Sequence, residues 1–189
     1  MLLVSNEIRV IPITIHEPIS RVASLLTTDL IVESCLIIAR SLITDFGIEK
    51  PRLWVAGLNP HAGENGSIGL EEKLYIEPAI RALKDQQIDV SGPIPADSMF
   101  HEEARNNYDA AVCMYHDQAL IPLKTLDFWG GVNITIGLPF VRTSPDHGTA
   151  LNLAGTGNAN PKSLNNAISL AAQIVNRRKV NSLRTKNNE

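Results

Sequence analysis

Asp109-Ala110-Ala111-Val112-Cys113-Met114-Tyr115-His116-Asp117-Gln118 passes from apolar to polar within a single short stretch. The apolar part has strand length and no polar/apolar alternation, so it reads as a strand buried on both faces, at the centre of a sheet covered by helices. The polar part places an imidazole, a carboxylate and an amide at the strand's C-terminal end, where α/β folds gather their ligands.

Working outward, the same grammar recurs. Ile8 to Thr14 is an apolar run ending near His16, and Arg52 to Gly57 is another, leading to His61. Val132 to Ile136 is a further strand candidate. Between them lie helical patterns. Thr27 and Thr28 offer an N-cap, Leu30, Ile31, Ile37, Ile38 and Leu42 recur at helical spacing, and Gly47 offers a stop, which predicts a helix over 28–46. Residues 71–86 and 161–179 read as two more helices. Val90 to Asp97 reads as a proline-punctuated connector with a short helix after Asp97, and residues 180–189 as a polar tail that frays. Alternating strands and helices predict one layered α/β unit over residues 1–189, with a largely parallel sheet.

Composition narrows the partners. The 189 residues are 44% hydrophobic and 20% charged, enough apolar content to bury a core and too much for general disorder. A net charge of -3 supplies no basic field for nucleic acid or anionic lipid, which leaves small molecules as the expected ligands. No apolar run reaches membrane-spanning length, and no leader pattern is visible, so a cytoplasmic protein is expected. Cys35 and Cys113 both sit in apolar stretches, as reduced buried thiols do.

Three of the five histidines, His16, His61 and His116, each follow a strand candidate closely. Imidazoles from separate strand ends suit Zn²⁺, Co²⁺ or a similar ion, with open positions for substrate. For any one histidine alone, a loop hydrogen bond is the simpler reading; three at equivalent positions favour a metal. The stretch from Arg142 to Pro161 is rich in glycine and small residues, which let backbone amides approach an adenosine or a phosphate. It is not a Rossmann turn, because Gly155-x-Gly157 lacks the third glycine and no strand immediately precedes it. Lys124, Asn133 and Arg142 are groups able to hold a phosphate or carboxylate, and Asn133, an amide within an apolar strand, needs a partner if buried.

Four ordered motifs together resemble the PdxA family of 4-hydroxythreonine-4-phosphate dehydrogenases. They are Asn59-Pro60-His61-Ala62-Gly63-Glu64, Gly92-Pro93-Ile94-Pro95-Ala96-Asp97, Tyr115-His116-Asp117-Gln118 and Asp146-His147-Gly148-Thr149-Ala150. The resemblance runs from residue 8 to about 178. It implies the layered α/β/α fold of isocitrate and isopropylmalate dehydrogenases, and an adenosine-binding loop in which His147, Gly148, Ala150, Asn152 and Asn160 meet NAD or NADP. At Asn152 the family more often has aspartate, a difference that bears on the ribose contact. The resemblance further implies a homodimer whose site for a divalent metal, Zn²⁺, Co²⁺ or Mg²⁺, takes His16, His61 and His116 from both subunits, and substrate contacts from Lys124, Asn133 and Arg142.

The activity implied is oxidation of 4-phosphooxy-L-threonine to a 3-keto acid that decarboxylates, a step in vitamin B6 synthesis. Asp117 and Lys124 are both candidates for the base. Family members are longer, with an N-terminal segment that completes one lobe and adds a His-Thr pair to the substrate, and Met1 matches an internal position. A shortened copy, a separately translated fragment or a misplaced start is therefore expected, with poor turnover by the chain alone. The competing readings are a non-catalytic remnant that dimerises and binds metal or nucleotide, and a metal-dependent hydrolase using Glu64 or Asp117.

Overall fold

The structure, a computed structural model, describes residues 1–187 and the side chains of residues 1–183. Its centre is a seven-stranded sheet in the order β4-β3-β5-β2-β1-β6-β7. The strands are β1 Leu2–Val4, β2 Arg9–Pro12, β3 Arg52–Ala56, β4 Asp89–Ile94, β5 Ala110–Cys113, β6 Val132–Ile134 and β7 Thr143–Pro145. The stretch around Ala110 is central, as its unbroken apolar character requires: β5 lies between β3 and β2, parallel to both, with Val55 opposite Val112 and Ile11 opposite Val112.

Period-two alternation then sorts the strand residues onto two faces. Leu2, Val4, Ile11, Ile13, Val55 and Val112 join one core with α2 Thr28–Thr44, α3 Glu77–Asp85 and α6 Lys162–Asn187. Leu3, Val10, Ala111 and Cys113 join a second core on the other face, against Ala119 and Leu123 of α5 His116–Leu126. The result is a layered α/β fold with helices on both faces of the sheet. Short helices α1 Ile19–Leu25 and α4 Glu102–Arg105 complete it.

The threonine-capped helix is met closely. The helix expected over 28–46 runs from Thr28 to Thr44; the Thr27 hydroxyl accepts from Leu30 N at 3.1 Å, and Gly47, at φ 71°, turns the chain away. The helix expected over 71–86 opens instead with a π turn, Glu72–Ile76, and becomes α-helical from Glu77. Pro78 explains the break, since it has no N–H to donate to the preceding turn.

Other expectations need correction. The sheet is not largely parallel: β4, β3, β5 and β2 run parallel, whereas β1, β6 and β7 join through antiparallel pairings. The proline-punctuated connector is strand β4, and the reason is its position at the sheet edge, where Pro93 needs no ladder partner on its outer side. The turn after it, Ala96–Ser98, is 3₁₀. The last helix continues to Asn187 instead of stopping at 179; Asn188 and Glu189, the end of the expected frayed tail, lie outside the described residues.

Two ion pairs brace neighbouring elements within a layer. Asp45, 2% exposed, receives Arg178 Nε at 2.7 Å and Nη2 at 2.9 Å, which joins α2 to α6. Asp109 accepts from Arg52 N at 2.8 Å and from its Nε at 3.2 Å, joining the starts of β5 and β3. Cys35 and Cys113 are both buried and free, and burial pushes the Cys35 thiol up to about 12. Among the described residues no single helix is long and apolar enough to cross a membrane.

Candidate functional site

The ends of β2 and β5 are locked together one residue beyond their regular pairing. Ile13 N donates to Cys113 O at 2.8 Å, and Thr14 donates to Met114 O through both its N–H (3.2 Å) and its buried hydroxyl (2.8 Å). This brings the residues that follow into register, and the His16 and His116 rings lie with centroids 5.5 Å apart, tilted by 43°. His116 opens α5. Its Nδ1 is 2.7 Å from Asp117 Oδ1, an arrangement that fixes the ring and leaves Nε2 for a ligand.

Buried Gln118 completes this corner by accepting from Met114 N at 2.6 Å and donating to Gly57 O at 2.8 Å. One amide thus pins the β5 turn to the end of β3. In sequence Gln118 is the polar neighbour of a histidine, and only its burial reveals the role.

Below the histidine pair opens a cleft of about 640 Å³. His16, His116, Lys124 and Asn133 line it from one side of the loop, and His147, Gly148, Ala150 and Asn160 line it from the loop itself. Lys124 stands two turns along α5 from His116. Its ammonium lies 2.9 Å from Asp146 Oδ2 and also donates to the Asp146 carbonyl. Asp146 is in turn held by Ser163, whose hydroxyl accepts from Asp146 N at 3.0 Å and donates to Gly131 O. A side chain at position 131 would meet the carboxylate, since a Cβ there lies 3.0 Å from Asp146 Oδ2. In sequence nothing marks Asp146 as a site residue, because its partner Lys124 lies on a different element.

Asn133 is only half-buried, so its amide is not the orphan that a fully buried strand position would make it. Arg142 does not line the cleft. It is exposed, and its Nη1 donates to Thr135 Oγ1 at 2.6 Å. The register of β6 and β7, Asn133 opposite Ser144, nevertheless puts Arg142 and Asn133 on the same face of the sheet. In the loop, Ala150 adopts φ 46°, Leu151–Leu153 make a 3₁₀ turn that contains exposed Asn152, and Asn160 Oδ1 caps α6 by accepting from Lys162 N at 3.0 Å.

His61 stands apart from this cleft. It lies in a turn in which His61, Ala62, Gly63, Glu64 and Asn65 all have positive φ, between 42° and 74°. The turn is held from beneath by the π turn at Glu72. Glu72, 2% exposed, accepts from Leu58 N at 2.8 Å, Asn59 N at 2.7 Å and Asn59 Nδ2 at 2.9 Å. Glu71 accepts from Asn59 Nδ2 and from Leu70 N, and these bonds hold its carboxyl below the usual carboxylate range. The left-handed turn leaves His61 exposed. Among the described residues no three metal-ligating side chains converge, so the expected three-histidine centre is not formed within one chain: the fold joins His16 to His116 and leaves His61 elsewhere. Asp117, which is exposed, also lies outside the cleft.

The sequence matches the family described as "Pyridoxal phosphate biosynthetic protein PdxA" over residues 1–171. A 4-hydroxythreonine-4-phosphate dehydrogenase of Caulobacter vibrioides is 57% identical over 180 residues, 95% of this chain and 54% of the relative. The crystal structure of a 4-hydroxythreonine-4-phosphate dehydrogenase from Klebsiella pneumoniae superposes with a TM-score of 0.82 at 43% identity, covering 92% of this chain and 53% of that one. A terephthalate 1,2-cis-dihydrodiol dehydrogenase from Burkholderia xenovorans superposes with a TM-score of 0.74 at 32% identity, over 91% and 54% of the two chains. The chain spans about half the length of the curated relatives it matches.

Proposed function

The chain belongs to the PdxA family, and from that premise we propose that it serves the NAD- or NADP-dependent oxidation of 4-phosphooxy-L-threonine to a 3-keto acid, which loses CO₂ to leave 3-amino-2-oxopropyl phosphate. The observation that carries the reading is the single cleft collecting His16, His116, Lys124, Asn133 and the loop around His147. When bound, a divalent ion would supply a Lewis acid for the hydroxyl oxygen, and a nicotinamide dinucleotide an acceptor for hydride.

The donor set fits half of such a metal site. His16 and His116 would offer two imidazole nitrogens, with His116 oriented by Asp117, and a third donor must come from outside the cleft. His61 of a second copy is the donor we assign, which makes the functional unit a homodimer. Lys124 supplies a cation and Asn133 an amide for the phosphate or carboxylate of the substrate, and Arg142 shares the sheet face of Asn133. Of the two base candidates only Lys124 lines the cleft; Asp117 acts through His116. In the loop, His147, Gly148, Ala150 and Asn152 would meet the dinucleotide. Asn160, whose Oδ1 is committed to the helix cap, keeps Nδ2 as a donor.

The test is nucleotide reduction with 4-phosphooxy-L-threonine, and with a cis-dihydrodiol of the class named for the Burkholderia xenovorans relative as competitor. The expected result is slow oxidation of the phosphorylated substrate that Lys124→Met abolishes. Preferential oxidation of the diol, or turnover indifferent to Lys124→Met, would overturn the reading.

A further inference from the structure

The cleft wall carries two large aromatic side chains side by side. Phe128 and Trp129 follow α5 directly, line the cleft, and are 58% and 55% exposed. Their rings meet edge to face, with centroids 5.0 Å apart and planes at 80°, so each braces the other. The turn that carries them is built to hold one shape. Asp127 Oδ1 accepts from Gly130 N at 2.9 Å and pairs with Lys162 Nζ at 3.0 Å, and a Cβ on Gly130 would lie 2.0 Å from Asp127 Oδ2. Two large apolar rings kept exposed on a fixed turn inside a concave site are costly to leave in water, and such an arrangement marks a binding wall.

The surroundings say what kind of ligand fits. Lys124 Nζ lies 5.3 Å from the Phe128 centroid, and Leu153, Ala150 and Ala159 line the same cleft. A cation beside an aromatic face, with aliphatic side chains sharing the cavity, suits a ligand that is flat at one end and anionic at the other. We propose that Phe128 and Trp129 form the stacking wall for a planar ring of the nicotinamide dinucleotide, and that Trp129 contributes to nucleotide affinity. The inference rests on the function proposed above and assigns to that cleft a pair of residues outside its metal, phosphate and loop contacts.

The chain has two tryptophans, and Trp54, in β3, packs against Tyr108 with ring centroids 5.2 Å apart, so Trp54→Phe leaves Trp129 as the lone tryptophan. Titration of that variant with NAD⁺, NADP⁺, nicotinamide mononucleotide and AMP should give saturable quenching with the dinucleotides. The mononucleotide that also quenches identifies the ring on the wall. Phe128→Ala and Trp129→Leu, followed by calorimetry, should each weaken dinucleotide binding by roughly tenfold, as expected for loss of one aromatic stacking contact, with circular dichroism unchanged. Unaltered affinity in the double variant would overturn the wall while leaving the cofactor reading intact. Failure of the wild-type chain to bind either dinucleotide would overturn both. Emission that tracks protein concentration and ignores nucleotide would make the pair an interface between copies and overturn the inference.

Discussion

Two neighbouring parallel strands, β5 and β3, each end in a histidine-bearing turn, and the two turns are held by opposite means. After β5 the chain enters a helix at once. His116 is its first residue, fixed by regular backbone, by Asp117 and by the Gln118 amide that reaches across to Gly57. After β3 the chain passes through five residues of left-handed backbone, an arrangement that costs L-residues roughly 1–2 kcal/mol each. It persists because the Glu72 and Glu71 carboxylates collect the amides of Leu58, Asn59 and Leu70. A turn that continues into secondary structure needs one clamp; a turn that opposes its own backbone preference needs a buried charge. Strain of this kind is tolerated where the surroundings over-determine it, and it collects at functional loops. That fits the role proposed for His61, presented outward to a second copy.

The largest expected effect is on the β3 side. Glu72→Ala leaves the half-buried Leu58 and Asn59 amides without their acceptor, while Asn59 Nδ2 keeps Glu71, and should cost roughly 2–4 kcal/mol in urea denaturation. Limited proteolysis should find new cleavage within 60–66. A loss below 1 kcal/mol, or a protected loop, would mean that the turn holds itself. Gln118→Ala tests the other clamp: it strands Met114 N and Gly57 O, and should cost about 2 kcal/mol while leaving the 60–66 loop protected. Equal proteolytic exposure of both loops in both variants would erase the distinction between them.

The opposite ends of the same strands provide a pH-dependent control. Burial by itself would raise the Asp109 carboxyl, but the Arg52 hydrogen bonds outweigh it and hold the group below its ordinary value. Because the folded value is depressed, the stabilisation is fully present above the ordinary aspartate range and disappears as pH falls through the folded value. Asp109→Asn should therefore be about 1 kcal/mol less stable than wild type near neutrality, with the difference shrinking on acidification. A gap that is constant with pH would assign the effect to packing. The smallest effect is a gain. Glu64, exposed at φ 42°, should be replaceable by glycine with a rise of about 0.5–1 kcal/mol, since glycine adopts that backbone freely. Thermal melting of Glu64→Gly checks it, and a loss would show that the turn is not strained at that residue.

Much of the architecture was legible because burial leaves a local trace. Unbroken apolar runs located β2, β3, β5 and β6, and a threonine cap with a glycine stop bounded α2 within two residues. Helix α5 escaped notice because its first turn is the polar His116-Asp117-Gln118 and Pro122 interrupts it, so its few buried positions, Ala119 and Leu123, make a faint periodicity. Strand β4 escaped because prolines usually argue against a strand, and only its edge position removes the objection.

By itself, the sequence determined which groups exist and where each sits on its own element: three histidines at strand ends, a lysine and an amide within reach of apolar segments, a glycine-rich loop before the last helix, and four motifs in an order that marks the family. Tertiary structure alone decided which of them meet. His16 lies beside His116 because Thr14 bonds Met114 across two parallel strands, whereas His61 is turned away by a backbone whose handedness depends on a carboxylate on a later helix. Lys124 faces Asp146, and Phe128 and Trp129 share a cavity with Ala150, for the same reason. Periodicity and composition record the average environment of one residue, but a contact between residues distant in the chain is created by sheet register and helix docking, which are collective properties of the folded state.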